Sequence, residues 1–169
     1  MKLIVIILCC ISGSIVYAQT STLSKAAYAI KYPSSWKVQP NSDGKQFTIS
    51  APPDSGVADN FVENLNMVIN ELSTIDYTAQ QYANFSKGYL PQKIKQFVVL
   101  ENKKGSTPGK DSWYMVFKGV QFGKKLQWKQ YYIVLNGRVH ILTFTAAADR
   151  YKQYIKSVDA MIATYAAKQ

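Results

Sequence analysis

The pair Asn136-Gly137, set between two long runs of β-branched and aromatic residues, constrains this chain more than any other feature. Asn-Gly suits the type I′ turn, whose two central residues both need positive φ, and a two-residue turn fixes how the flanking strands pair. Val134 then faces Val139, Tyr132 faces Ile141 and Trp128 faces Thr145 on one side of the hairpin. On the other side Ile133 faces His140 and Tyr131 faces Leu142. Both sides carry large apolar groups, so the hairpin predicts a sheet covered on both faces.

The remaining pattern supplies the rest of such a sheet. Tyr28 to Tyr32 alternates and stops at Pro33, Lys45 to Ala51 stops at Pro52-Pro53, and Glu63 to Glu71 interleaves polar residues. Phe97 to Lys103, Ser112 to Gln121, Leu126 to Leu135 and Arg138 to Ala146 continue as a meander. Between these groups the period changes. Thr78 with Gln81 resembles a capping box, and Tyr82, Phe85, Tyr89 and Leu90 fall on one helical face, read here as core contact, until Gly88 and Pro91 end the helix. Asp149 reads as the cap of a final helix whose apolar stripe is Tyr151, Tyr154, Ile155, Val158, Met161, Ile162 and Tyr165. About seven antiparallel strands flanked by two main helices make the class α+β.

The N-terminus has a different character. Met1-Lys2, the apolar block Leu3 to Ile11, and Val16-Tyr17-Ala18 with small residues at the −3 and −1 positions match an export signal cut after Ala18. The expected organisation is a signal peptide over 1–18, a polar linker over 19–26 and one domain over 27–167, exported to a periplasmic or extracellular space. Cys9 and Cys10 would leave with the signal, and neither follows the small residue that lipidation requires. The processed chain would then have no cysteine, no disulfide and no membrane span. Intact mass of the extracytoplasmic protein checks this: it should begin at or near Gln19, and a species retaining Met1 or carrying lipid would contradict it.

Chemistry is scarce. His140 is the one histidine of the chain, so a catalytic triad or a Cys-His pair cannot be assembled once the cysteines are gone. His140 shares a strand face with Leu142 and Phe144 and reads as structural. There is no Gly-x-Ser-x-Gly, His-Glu-x-x-His or phosphate-loop string. Paired carboxylates for glycoside hydrolysis would have to come from acids that sit mostly in loops and caps. Asp54, Asp59, Asn60 and Glu63 cluster hard oxygen ligands without the spacing of a calcium loop. The expectation is a protein with no catalytic residues, no metal site and no cofactor.

The string Ile30-Lys31-Tyr32-Pro33-Ser34-Ser35-Trp36-Lys37 resembles the strand and Tyr-Pro-x-x-Trp opening of the photosystem II extrinsic PsbP family. Asn64-Leu65-Asn66-Met67 is similar to that family's third strand, and Leu142-Thr143-Phe144-Thr145-Ala146-Ala147 with Tyr151 and Tyr154 to its close. The resemblance implies an α/β/α sandwich and a noncatalytic binding or assembly role, here in an exported bacterial homologue. The plant subunit's retention of calcium and chloride does not carry over, because Gln19 to Lys25 does not match its N-terminal binding segment.

Charge supplies the functional expectation. The chain has 20 Lys and Arg against 10 Asp and Glu, a formal +10. From Lys87 to Lys129 ten lysines meet only Glu101 and Asp111, whereas Asp43 to Asp76 holds six acids and Lys45. A basic face of Lys103, Lys104, Lys110, Lys124, Lys125 and Lys129 is expected to meet an anionic envelope surface or an acidic protein. The interleaved Trp113 and Trp128 would also suit nucleic acid, which export makes an unexpected partner. A carrier or sensor of a small apolar ligand, held between sheet and helix, is the alternative reading, and a carboxylate-dependent hydrolase a more remote one.

Overall fold

Asn136 and Gly137 have φ of 50° and 70°, the type I′ signature, and the hairpin they close has the register that the sequence dictates, from Leu135↔Arg138 through Tyr132↔Ile141 to Trp128↔Thr145. The structure is a computed structural model and describes residues 19–40, 46–53, 61–72, 77–106 and 111–168. The chain runs β1 (Thr20–Ser24), β2 (Tyr28–Pro33), β3 (Lys37–Pro40), β4 (Gln46–Ser50), β5 (Asn64–Glu71) and α1 (Ala79–Tyr89). A 3-10 turn (Leu90–Gln92) leads into β6 (Lys95–Lys104), β7 (Asp111–Gln121), β8 (Lys124–Leu135), β9 (Arg138–Ala147), α2 (Tyr151–Ala163) and β10 (Ala166–Ala167). Seven strands form the main antiparallel sheet in the order β3-β4-β5-β9-β8-β7-β6. A smaller sheet has the order β1-β2-β10. The polar stretch expected to be a linker is therefore structured: Thr20 to Ser24 pairs with Pro33 to Ala29. Leu23 packs against the core, but its neighbours are polar and backbone pairing makes the segment a strand, which is why its composition does not announce it.

The two faces of the main sheet carry separate cores. On one, Phe47, Ile49, Leu65, Met67, Ile133, Leu142 and Phe144 pack with Tyr151, Tyr154, Val158, Met161 and Ile162 of α2 and with Tyr28 and Ile30 of the small sheet. Trp36 plugs the edge of this core, its ring meeting Tyr154 edge-on at 6.0 Å. On the other face Met115, Phe117, Trp128, Tyr132 and Val139 pack under α1 and Ile94. The result is an α/β/α arrangement in which α1 lies over β7 and β8 while α2 lies against β9 and β2.

Helix α1 starts as expected. Thr78 accepts from the Gln81 amide at 3.1 Å and its own amide donates to the Gln81 side chain at 2.8 Å. The fully buried face, however, is Ala79 and Ala83, and the expected stripe divides: Tyr82 and Leu90 pack against the core from half-buried positions, while Phe85 and Tyr89 are 59% and 46% exposed. The rings of Phe117, Trp128 and Tyr132 already fill this layer, so the helix approaches with its small side chains. The start of α2 also differs. Its cap is Arg150, with no side-chain cap bond, and Asp149 lies in the preceding turn. That turn is closed by backbone bonds from Arg150 to Ala147 and from Gln153 to Arg150.

Burial has raised several phenols. Loss of solvent, then the Asp159 and Glu101 carboxylates, push Tyr131 up to about 12. Burial likewise pushes up Tyr132, Tyr151 and Tyr165. An unfolded tyrosine ionises near pH 10, so the stabilisation is complete below that pH and disappears as pH rises through the folded values. Denaturant midpoints should therefore hold up to about pH 10 and fall between about pH 10 and 12, with tyrosinate absorbance appearing as tertiary structure is lost. Titration of all tyrosines near pH 10 in a folded protein would contradict this packing.

Candidate functional site

The lysines expected to make one face divide between the two ends of the sheet. Lys104 pairs with Trp113 and Lys125 with Val120, seven residues apart along β7, or about 23 Å at strand rise. That exceeds two Debye lengths at physiological salt. At the first end Lys103 and Lys104 point to opposite faces, and Lys110 lies outside the described residues. Lys103 is moreover tied to Glu101 at 3.0 Å. Its hydrogen bond, joined by that of the Tyr114 hydroxyl, holds the Glu101 carboxyl below the usual range, and Glu101 raises Lys103 in turn. Lys129 is not surface charge. It is 8% exposed, donates to Asp159 at 2.7 Å, and lies 4.8 and 5.1 Å from the Tyr114 and Tyr131 ring centres.

The opposite end gathers charge that the sequence disperses. After α1, Pro91 in the 3-10 turn directs the chain down so that Ile94 is buried against β7. The approach requires Gly119, where a Cβ would stand 2.4 Å from the Ile94 Cγ2 and 2.8 Å from the Lys95 carbonyl. Burying Ile94 leaves Lys93 and Lys95 exposed on either side of it, beside the β7–β8 turn. That turn is Phe122-Gly123, with φ of 52° and 75°, followed by Lys124 and Lys125. Lys93, Lys95, Val120, Gln121, Phe122 and Gly123 line an open hollow of about 520 Å³. Lys118 and Lys125, with Gln96, Gly119, Leu126 and Ala148, line a second of about 300 Å³.

Phe122 is the residue that sequence reasoning missed. It is 89% exposed at the tip of this hairpin, among the lysines. A bulky residue in the left-handed region costs about 1–2 kcal/mol that Gly or Asn would avoid. The string Gln121-Phe122-Gly123-Lys124-Lys125 carried the signal: an aromatic residue where a turn calls for Asn.

The other candidates have structural roles among the described residues. His140 is buried, with Nδ1 2.6 Å from the Tyr165 hydroxyl. Glu63 is buried, accepts from the Ala147 amide at 3.3 Å and stands 3.9 Å from Arg150 Nε, whereas Asp54, Asp59 and Asn60 of the calcium reading lie outside the described residues. Glu71 pairs with Arg138 at 3.2 Å, and Asp111 accepts from the Ala79 amide at the start of α1. Trp128 is stacked on Phe117 inside the core, and Trp113 donates to Asn102. Among the described residues no group of three or more His, Cys, Asp or Glu is placed to hold a metal ion.

Three solved structures superpose over most of the chain. Cyanobacterial PsbP (CyanoP) from Synechocystis covers 92% of it and 96% of its own length, with a TM-score of 0.64 and 15% identity. The chain has a PsbP-like fold. LpqN, involved in cell envelope biogenesis of Mycobacterium tuberculosis, gives a TM-score of 0.63 at 16% identity over 89% of this chain and 91% of its own. PA94, a Pseudomonas aeruginosa protein of unknown function, gives 0.65 at 11% over 89% and 98%. No family model and no curated protein matches the chain. At these identities the likeness establishes the PsbP-like fold, and function rests on the surface this chain builds upon it.

Lys129 and the tip lysines should respond differently to charge reversal. Lys129→Glu puts a carboxylate beside Asp159 in a buried position and should destabilise the PsbP-like domain by about 3–5 kcal/mol. Lys124→Glu and Lys125→Glu, at the hairpin, should each shift stability by no more than about 0.5 kcal/mol. Chemical denaturation of the three variants checks the assignment, and equal losses would refute it.

Proposed function

We propose that this protein is an exported, noncatalytic factor of the cell envelope that docks on anionic lipid through the β7–β8 hairpin tip. One observation carries the reading: Phe122 is held exposed, at a conformational cost, at the centre of a lysine cluster. Solvation and turn geometry both disfavour phenylalanine there, whereas a lipid headgroup region rewards an apolar ring ringed by cations. The likeness to LpqN, named for cell envelope biogenesis, and to the extrinsic PsbP fold supports the setting. No helix among the described residues is long and apolar enough to cross a membrane.

The magnitudes suit reversible docking. Four lysines at about 1 kcal/mol each, with about 2 kcal/mol from burying the ring, give about 6 kcal/mol, a Kd of tens of micromolar. Screening should weaken this strongly as the Debye length shortens from about 10 Å at 0.1 M to about 3 Å at 1 M salt. Flotation with phosphatidylglycerol-containing vesicles should recover the protein at low salt and lose it at high salt, with pure phosphatidylcholine vesicles giving little. Phe122→Ser and the combined Lys93→Glu, Lys95→Glu, Lys124→Glu and Lys125→Glu variant should abolish flotation, while Lys103→Glu and Lys104→Glu at the far end should not. Failure of the unmodified protein to float at low salt would overturn the lipid reading, and capture of an acidic protein by the same tip would replace it.

A further inference from the structure

The two helices cover opposite halves of the main sheet, and α1 leaves the β4, β5 and β9 part of its own face without a helix among the described residues. The side chains on these three strands are half-buried and uncharged, with Val68 and Ile141 standing beside the polar ones. Thr48, Asn66, Thr143 and Gln130 form one row across four paired strands. Asn64 and Thr145 stand in the next. The rows are spaced about 4.8 Å across strands and about 6.7 Å along them, on the scale of a sugar ring. Of the 30 charged residues of this chain, none stands in these rows. On this part of the face the single charge among the described residues is Lys37, on the outermost strand.

Two further observations separate this surface from ordinary solvated sheet. Several of its polar groups are held by hydrogen bonds: the Tyr132 hydroxyl donates to Gln130 Oε1, Gln130 Nε2 donates to Thr143 Oγ1 at 2.9 Å, Asn64 Nδ2 donates to the Val62 carbonyl at 2.9 Å, and Asn70 Nδ2 to the Tyr82 hydroxyl at 3.3 Å. The floor also ends at an aromatic wall. Tyr82 packs on Tyr132 at 5.8 Å, Phe85 stands 6.1 Å from Tyr82, and Tyr77 touches both rings. Phe85 is more than half exposed beyond its contacts with Tyr77 and Tyr82, so part of its electron-rich ring is open to the C–H groups of a saturated ring.

We infer that this face binds an uncharged, polyhydroxylated chain, a neutral glycan, with the amide and hydroxyl rows meeting its hydroxyls and the Tyr82–Phe85 wall stacking against its rings. Charge decides the class. An anionic lipid or polyanion gains nothing from a floor of Asn, Thr and Gln, and a cationic partner finds no carboxylate on it. Amides and hydroxyls that both donate and accept match the hydroxyls of a sugar, and their mutual bonds reduce the ordering that binding requires.

The test is a titration of the purified protein with cellohexaose and chitohexaose, followed through the side-chain amide resonances of Asn64, Asn66 and Gln130. One of these glycans should shift those signals together with the Tyr82 and Phe85 rings. Phe85→Ala and Asn66→Ala, both at accessible positions, should each weaken binding by about tenfold, the equivalent of about 1.4 kcal/mol. Lys124→Glu and Lys125→Glu should leave it unchanged, which separates this site from the lipid-docking tip. Absence of any shift at millimolar glycan, or a shift confined to residues around Phe122, would overturn the inference. An equal shift of the floor by phosphatidylglycerol vesicles would overturn it as well.

Discussion

The pairing of β5 with β9 joins two pieces of chain that neither could stabilise alone. Eight consecutive pairs, from Asn64↔Thr145 to Glu71↔Arg138, attach the short N-terminal strands to the C-terminal meander. On one face this pairing sets Leu65, Met67 and Ile69 beside Phe144, Leu142 and His140, completing the floor on which α2 rests. It closes a loop of roughly 70 residues, whose entropic cost grows only slowly with length, and each pair formed then adds apolar contact. The small sheet and the Trp36 plug depend on the same event, because the core they cover does not exist before it.

What could be read from the chain was what local geometry dictates. Asn136-Gly137 fixes the β8–β9 register because the turn admits only one, and Thr78 with Gln81 fixes the start of α1 because the reciprocal bonds are local. What could not be read depends on which surface an element meets. A 3.6-residue stripe identifies a face of α1 but not its neighbour, and a layer already filled by Phe117, Trp128 and Tyr132 selected Ala79 and Ala83 over Phe85 and Tyr89. Charge failed in the same way. An antiparallel meander returns on itself, so lysines close in sequence, such as Lys104 and Lys125, are carried to opposite ends while Lys93 and Lys125 are brought to the same end.

The surface thus has two regions of contrasting chemistry. The β7–β8 tip combines cations with one exposed ring, and the floor beside α1 combines neutral hydrogen-bonding groups with an aromatic border. The second is formed by strand interiors whose opposite side is fully buried, so its geometry is as rigid as the core beneath it. The first is a turn projecting from the sheet, anchored by Gly119 and Ile94, and it can meet a soft and variable surface without disturbing the remainder.

The outer strands have a consequence of another kind. β3 is four residues long and ends at Pro40, which has no amide to donate. β6 is ten residues long and would offer a long template, but its register slips twice, between Lys95 and Val98 and between Val99 and Glu101, and Gln96 turns to a φ of 52°. Lys103 and Lys104 guard its far end. A second chain laid along either border would find a short run or a broken ladder, so the sheet is closed to growth although it is not closed into a barrel. Part of the lysine surplus is thereby accounted for as protection against strand-by-strand polymerisation, a demand that falls on any sheet left open at its borders.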